Sequence, residues 1–132
     1  MAGRDSFDPS FWGPLMWKML YINALSYPFS NPTLTNRTHF GMYYNSLQTV
    51  LPCQKCQEGV KKFLKDHPVE KSLGNKVELL RWLTALYNNK RPPESKIKYI
   101  KDLRNVIEGD ETIEEVLDEL ERRHPKLKLN TI

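Results

Sequence analysis

Cysteine is nearly absent from this chain. Cys53 and Cys56 are the only two among 132 residues, and a single pair cannot build the disulfide framework on which small secreted domains depend. Histidine is scarce as well. His39, His67 and His124 are dispersed, with no second C-x-x-C knuckle and no H-x-x-x-H spacing to complete four zinc ligands, so no metal is expected. No apolar run approaches the roughly 20 residues that cross a bilayer. The first twenty residues mix acids, prolines and Lys18 where an export signal needs an apolar stretch. A membrane span and a secretory signal are therefore not expected, and a cytoplasmic protein is. Low-complexity tracts, internal repeats and strand-like alternation are missing too.

What remains is a globular composition, 39% hydrophobic and 27% charged, long enough to bury one core. The net charge of +4 is unevenly spread. Sixteen Lys and Arg face eight acids up to Ile107, whereas four face eight from Glu108 onward. A basic body suits an anionic ligand or partner. The basic residues are scattered and carry no nucleic-acid motif, so no nucleic-acid partner is expected.

Apolar residues recur at helical spacing almost throughout. Phe11 to Tyr27 sets Trp12, Leu15, Met16, Met19, Leu20 and Ala24 on one broad face, and Trp12, Met16 and Leu20 read as core. After a loop at 29–36, a second helix is expected from Arg37 to Leu51. A third starts at Pro52-Cys53, with proline in the first turn where its missing N–H is not needed. It stops before His67-Pro68, since the residue ahead of proline disfavours the helical region. Asn75 opens a fourth through Val77, Leu80, Leu83, Thr84 and Tyr87, ended by Arg91-Pro92-Pro93. A shorter helix is expected over Ser95 to Ile107, and an amphipathic one over Glu111 to Arg123. The expected fold is all-α: a four-helix bundle with an additional short helix and a C-terminal amphipathic helix. Residues 1–107 form the main domain, and the acidic segment 108–132 packs on it or extends it.

At the start of a helix, the macrodipole, the free amides and Lys55, Lys61 and Lys62 all bias the C-x-x-C pair toward thiolate. One helical turn brings the two sulfurs within bonding distance, so the pair can open and close by thiol–disulfide exchange. The bland reading is two cysteines packed in a core. A thioredoxin-like site requires strands before the motif, and a helical pattern stands there instead. On the motif alone, a redox pair and two structural thiols remain open.

The flanking residues carry more. Trp12-Gly13-Pro14-Leu15-Met16-Trp17-Lys18-Met19-Leu20, with Ala24 and Tyr27-Pro28, resembles the W-G-P-x-x-W-x-x-L-H-x-x-A-x-x-Y-P opening of the Erv/ALR flavin-linked sulfhydryl oxidases. Leu51-Pro52-Cys53-Gln54-Lys55-Cys56 follows one helix later, as the family's C-x-x-C does. Trp82-Leu83-Thr84-Ala85-Leu86-Tyr87-Asn88-Asn89-Lys90-Arg91 stands where the family has W-L-C-x-x-H-N-x-V-N, and Lys96 falls in register with the family lysine. The resemblance runs from Trp12 to about Tyr99. Tyr21 and Tyr87 replace the histidines of cellular members, as in some small members from large DNA viruses; Lys90-Arg91 and Glu94-Ser95 replace Val-Asn and Leu-Gly.

The resemblance implies an FAD-dependent thiol oxidase. It implies that Cys53 and Cys56 are catalytic. It further implies that FAD is held by Gly13, Trp17, Tyr21, Tyr27, Cys56, Trp82, Tyr87, Asn88, Arg91 and Lys96. A partner's dithiol would attack Cys53, Cys56 would pass electrons to the flavin, and O2 would leave as hydrogen peroxide. With no second C-x-x-C, the substrate must reach Cys53 directly, which suits a thioredoxin-like protein or a short C-x-x-C or C-x-x-x-C protein. A homodimer, and a place in a host cytoplasm or a virion, are further implications. Trp17 with Tyr21, and Thr84 with Tyr87, share helical faces and could sandwich a flat ring, while Lys90, Arg91 and Lys96 could meet a pyrophosphate. The competing expectation is a non-enzymatic helical adaptor with a decayed flavin site.

Overall fold

Four helices among the described residues begin where a short polar side chain serves the first free amides. The computed structural model describes residues 6–131. Helix α1 (Pro9–Leu25) is capped by Asp8, whose carboxylate accepts from the Ser10 amide at 3.0 Å, with Pro9 in the first turn. Helix α2 (Leu34–Asn45) opens on a reciprocal capping box between Thr33 and Asn36. It therefore starts earlier than the periodicity alone suggests. It also ends earlier: the Ser46 hydroxyl donates back to the Tyr43 carbonyl at 2.6 Å, and a separate short helix α3 (Leu47–Val50) follows.

Helix α4 (Gln54–Asp66) differs from expectation in one detail. Pro52 lies outside it, in a bend ahead of the extended N-cap Cys53, whose sulfur accepts from the Cys56 amide at 3.2 Å. The Pro52 carbonyl accepts from the Phe7 amide at 2.7 Å, so the N-terminal segment lies against the cysteine motif. Helix α4 stops at His67-Pro68, and α5 (Lys76–Asn88) starts at Asn75, both as the sequence indicates. The expected Ser95–Ile107 helix is split into a 3-10 turn at Pro93–Ser95 and α6 (Ile100–Ile107). The cause is Asn88, whose side chain accepts from the Ile97 amide at 2.9 Å and donates to the Ile97 carbonyl at 2.8 Å. Helix α7 (Glu111–Arg123) is capped by Asp110.

The described residues contain no strand, and the fold is all-α. One core joins the elements. Tyr21 on α1 meets Thr84 on α5 at 2.8 Å, both with no exposed surface. Trp82 packs edge-on to Tyr44 and Phe63, tying α5 to α2 and α4. Tyr44 and Tyr27 each spend their hydroxyl on a main-chain carbonyl, of Leu20 at 2.8 Å and Leu73 at 2.6 Å. The C-terminal segment shares this core through Leu117, Leu120, Leu127 and Leu129, all buried. Arg104 of α6 reaches Glu114, Asp118 and Glu121 of α7, and the Leu129 amide donates to the Lys98 carbonyl at 2.8 Å.

Candidate functional site

Cys53 and Cys56 form a disulfide with a Cα–Cα distance of 5.2 Å. One helical turn imposes that spacing. The two sulfurs differ in surroundings. Cys56 lies on the wall of a cavity of about 360 Å³, whereas Cys53 is outside that wall.

Three helices build the cavity. Helix α1 supplies Trp12, Gly13, Met16 and Trp17; α4 supplies Cys56, Gly59 and Val60; the end of α5 supplies Leu86 and Tyr87. Leu47 and Leu51 close the apolar side, and Lys55, Lys90 and Arg91 stand at the edge. A second cavity of about 400 Å³ shares Gly13, Trp17, Tyr87 and Arg91 with the first and extends to Asn105 and Val106 of α6. No described carboxylate lines either cavity. Two glycines leave open space: a β-carbon added at Gly13 or at Gly59 would meet nothing within 4 Å. The site is therefore a largely apolar slot with aromatic walls and a positive rim, beginning at a disulfide sulfur. Such a slot suits a flat, anionic ligand able to exchange electrons with Cys56.

The structure gathers Gly13, Trp17, Cys56, Tyr87 and Arg91 at this slot. Trp17 and Tyr87 touch edge to face, ring centroids 5.0 Å apart and planes at 78°, rather than standing parallel around a gap. The Arg91 guanidinium lies 3.7 Å from the Tyr87 ring centroid, and its Nε donates to the Tyr87 carbonyl at 2.9 Å. This cation–π contact carries Arg91 back over the helix end.

The other residues singled out from the sequence stand elsewhere. Tyr21 lies behind Tyr87, centroids 6.1 Å apart. Burial pushes its hydroxyl far above the usual tyrosine range, and the Thr84 hydrogen bond offsets this only in part. Tyr27 and Trp82 are core, the latter donating its indole N–H to the His67 carbonyl at 2.8 Å. Asn88 is occupied by Ile97, and Lys96 is exposed away from both cavities. Of the residues read as core, Leu20 is buried, but Trp12 and Met16 are half-buried walls of the slot. Sequence reasoning also passed over Gly59. It sits three residues after Cys56, on the same helical face, and that spacing was the available signal.

The Erv1/Alr family model matches residues 14–108. Over 82 residues the chain is 31% identical to a protein of Acanthamoeba polyphaga mimivirus named as a probable FAD-linked sulfhydryl oxidase, R368. That match takes in 61% of this chain and 57% of the viral protein, so the chain spans little more than half of that relative's length. The crystal structure of the yeast Erv1 core has the same fold, with a TM-score of 0.58 at 18% identity over 96% of this chain and 91% of that one. Because the family match takes in well over half of the chain, both cysteines included, the chain belongs to the Erv1/Alr family.

Proposed function

We propose that this protein is an FAD-dependent sulfhydryl oxidase that forms disulfide bonds in partner proteins. One observation carries the reading: the Cys53–Cys56 disulfide presents Cys56 to an aromatic, cation-edged slot and leaves Cys53 outside it. FAD fits that slot. Gly13 and Gly59 leave room for a flat ring against the backbone, and Lys55, Lys90 and Arg91 suit a diphosphate. In this reading Gly13, Trp17, Cys56, Tyr87 and Arg91 hold FAD. Tyr21, Tyr27, Trp82 and Asn88 keep the surrounding helices in place, and Lys96 adds charge from the α5–α6 connection. When bound, FAD supplies the two-electron oxidation of the cysteine pair and the return of those electrons to O2 as hydrogen peroxide.

The chain's own residues perform the thiol chemistry. A thiolate of the partner's dithiol attacks Cys53 Sγ, forming a mixed disulfide and releasing Cys56 as a thiolate facing the slot. The partner's second thiol then attacks its own bridged sulfur and releases Cys53. At that moment the Cys53 sulfur sits at the N-cap of α4, positioned to accept from the Cys56 amide. The helix dipole stabilises the negative charge there. A thioredoxin-like protein or a short exposed C-x-x-C or C-x-x-x-C protein fits the direct access this requires.

Residues 1–107 act as the oxidase unit, with 108–132 packed against it. A homodimer is part of the proposal, supported by Phe11, Leu15 and Met19, which form an exposed apolar stripe along α1 with more than half of each surface open. No helix among the described residues is long and apolar enough to cross a membrane. Action in a host cytoplasm or a virion is supported by the viral relative.

The decisive measurement is the visible spectrum of the purified protein before and after anaerobic addition of a dithiol. A flavin band that bleaches and returns with air is expected. Cys53→Ser and Cys56→Ser variants should keep the band and lose dithiol-driven oxygen consumption. A colourless protein that FAD cannot reconstitute would replace this reading with the helical adaptor.

A further inference from the structure

The solvent side of α4 has a chemistry that, apart from Lys55 at the slot edge, the oxidase reading does not use. Gln54, Lys55, Glu58, Lys61, Lys62 and Lys65 are all exposed there. At 100° per residue these positions fall within about one third of the helix circumference. Four lysines thus stand around a single carboxylate, Glu58, with Asp66 at the far end. At about 1.5 Å per residue the face runs roughly 18 Å from Cys53 to Lys65, well within the footprint of a docked protein. At its Cys53 end the face meets an apolar shoulder. Val50 is 62% exposed and Phe7 61% exposed, and the Phe7 amide is fastened to the Pro52 carbonyl one residue before Cys53.

We propose that this face is the docking surface for the partner dithiol, and that the partner is a polypeptide whose dithiol is flanked by acidic residues. The inference rests on the oxidase reading and names its substrate class. A macromolecule approaching Cys53 from outside the slot must lie along α4 or across Phe7 and Val50. Opposite charge along α4 raises the encounter rate and disfavours basic competitors, while the apolar shoulder excludes water beside the reacting sulfurs. The chemistry is thiol–disulfide exchange: the partner's two thiols become a disulfide, Cys53 and Cys56 become thiols, and no other oxidant enters this half-reaction.

The test measures the second-order rate of that half-reaction under anaerobic conditions. Two otherwise identical C-x-x-C peptides are compared, one flanked by aspartates and one by lysines, with dithiothreitol as an uncharged reductant. The acidic peptide should react at least 10-fold faster than the basic one at low salt, and the advantage should shrink toward unity at high salt. In Lys61→Glu/Lys62→Glu/Lys65→Glu the preference should reverse once each peptide rate is divided by the same variant's dithiothreitol rate, which absorbs any change in the thiolate bias of the cysteine pair. None of these three lysines lines the slot, and the dithiothreitol rate doubles as the check on folding. Equal peptide rates in the wild type, or an acidic preference that survives charge reversal, would overturn the docking proposal and leave the oxidase reading standing. A disulfide that even dithiothreitol cannot open would instead remove the oxidase reading itself.

Discussion

Gly13 offers a sharp test of the slot because two local effects on stability oppose one another there while the effect on ligand binding is one-sided. It lies inside α1 and borders both cavities. Replacing a helical glycine by alanine stabilises by about 1 kcal/mol, and the new methyl group would meet no neighbour within 4 Å. Pro14 follows, however, and its ring crowds a β-carbon on the preceding helical residue. The two effects nearly cancel. Gly13→Ala should therefore change stability by less than about 1 kcal/mol, a melting shift of under about 4 °C for a domain of this size. Gly59 is the control, since its added β-carbon is equally free and Val60 rather than proline follows. Gly59→Ala should gain the full helix term of about 1 kcal/mol. In Gly13→Ala the methyl group enters the space assigned to FAD, where overpacking costs about 1–3 kcal/mol, a loss of roughly 5- to 150-fold in affinity. The assay pairs thermal unfolding of flavin-stripped protein with FAD titration by fluorescence. Unchanged FAD affinity in a folded Gly13→Ala protein would refute the placement of the cofactor against this glycine.

Two further outcomes follow from buried polar groups. Tyr21→Phe leaves the Thr84 hydroxyl without its partner and should cost about 1–3 kcal/mol in urea unfolding, most of it recovered in Tyr21→Phe/Thr84→Val; additive losses would show that the pair is not coupled. Lys76 is 4% exposed, donates to the Leu25 carbonyl and stacks on Phe29. Burial first, then the nearby Arg123, lowers its pKa from 10.5 to about 8. The unfolded chain holds this proton more tightly, so the penalty is present below pH 8 and fades as pH rises to 10.5. Relative to Lys76→Met, the wild type should gain stability across that window, by up to about 3 kcal/mol. A difference flat with pH would refute it.

Local signals in this chain were legible where the chemistry was local. Asn75 is a polar cap directly ahead of apolar periodicity, and His67-Pro68 is a stop by proline sterics; both lie where they read. The errors arose from competing hydrogen bonds. The break at Ser46, the early start at Thr33 and the unwound 96–99 stretch each depend on a side chain that captures main-chain groups. Composition does not reveal which serine or asparagine will do so, because the same residues also sit idle on surfaces.

The sequence by itself determined the helical class, the family and the seating of a cysteine pair at a helix start. Those follow from periodicity, caps and motif spacing, all properties of neighbouring residues. Only the tertiary structure decided which aromatic residues meet the slot. Trp17 and Tyr21 are one turn apart on the same face of α1, yet Trp17 walls the cavity while Tyr21 is sealed by Thr84. A period of 3.6 residues tells which direction a side chain points, whereas its environment depends on the helix that packs opposite. The same holds at the other end of the chain, where Leu127 and Leu129 acquire a core role only because the segment after α7 returns to Lys98 and Arg81.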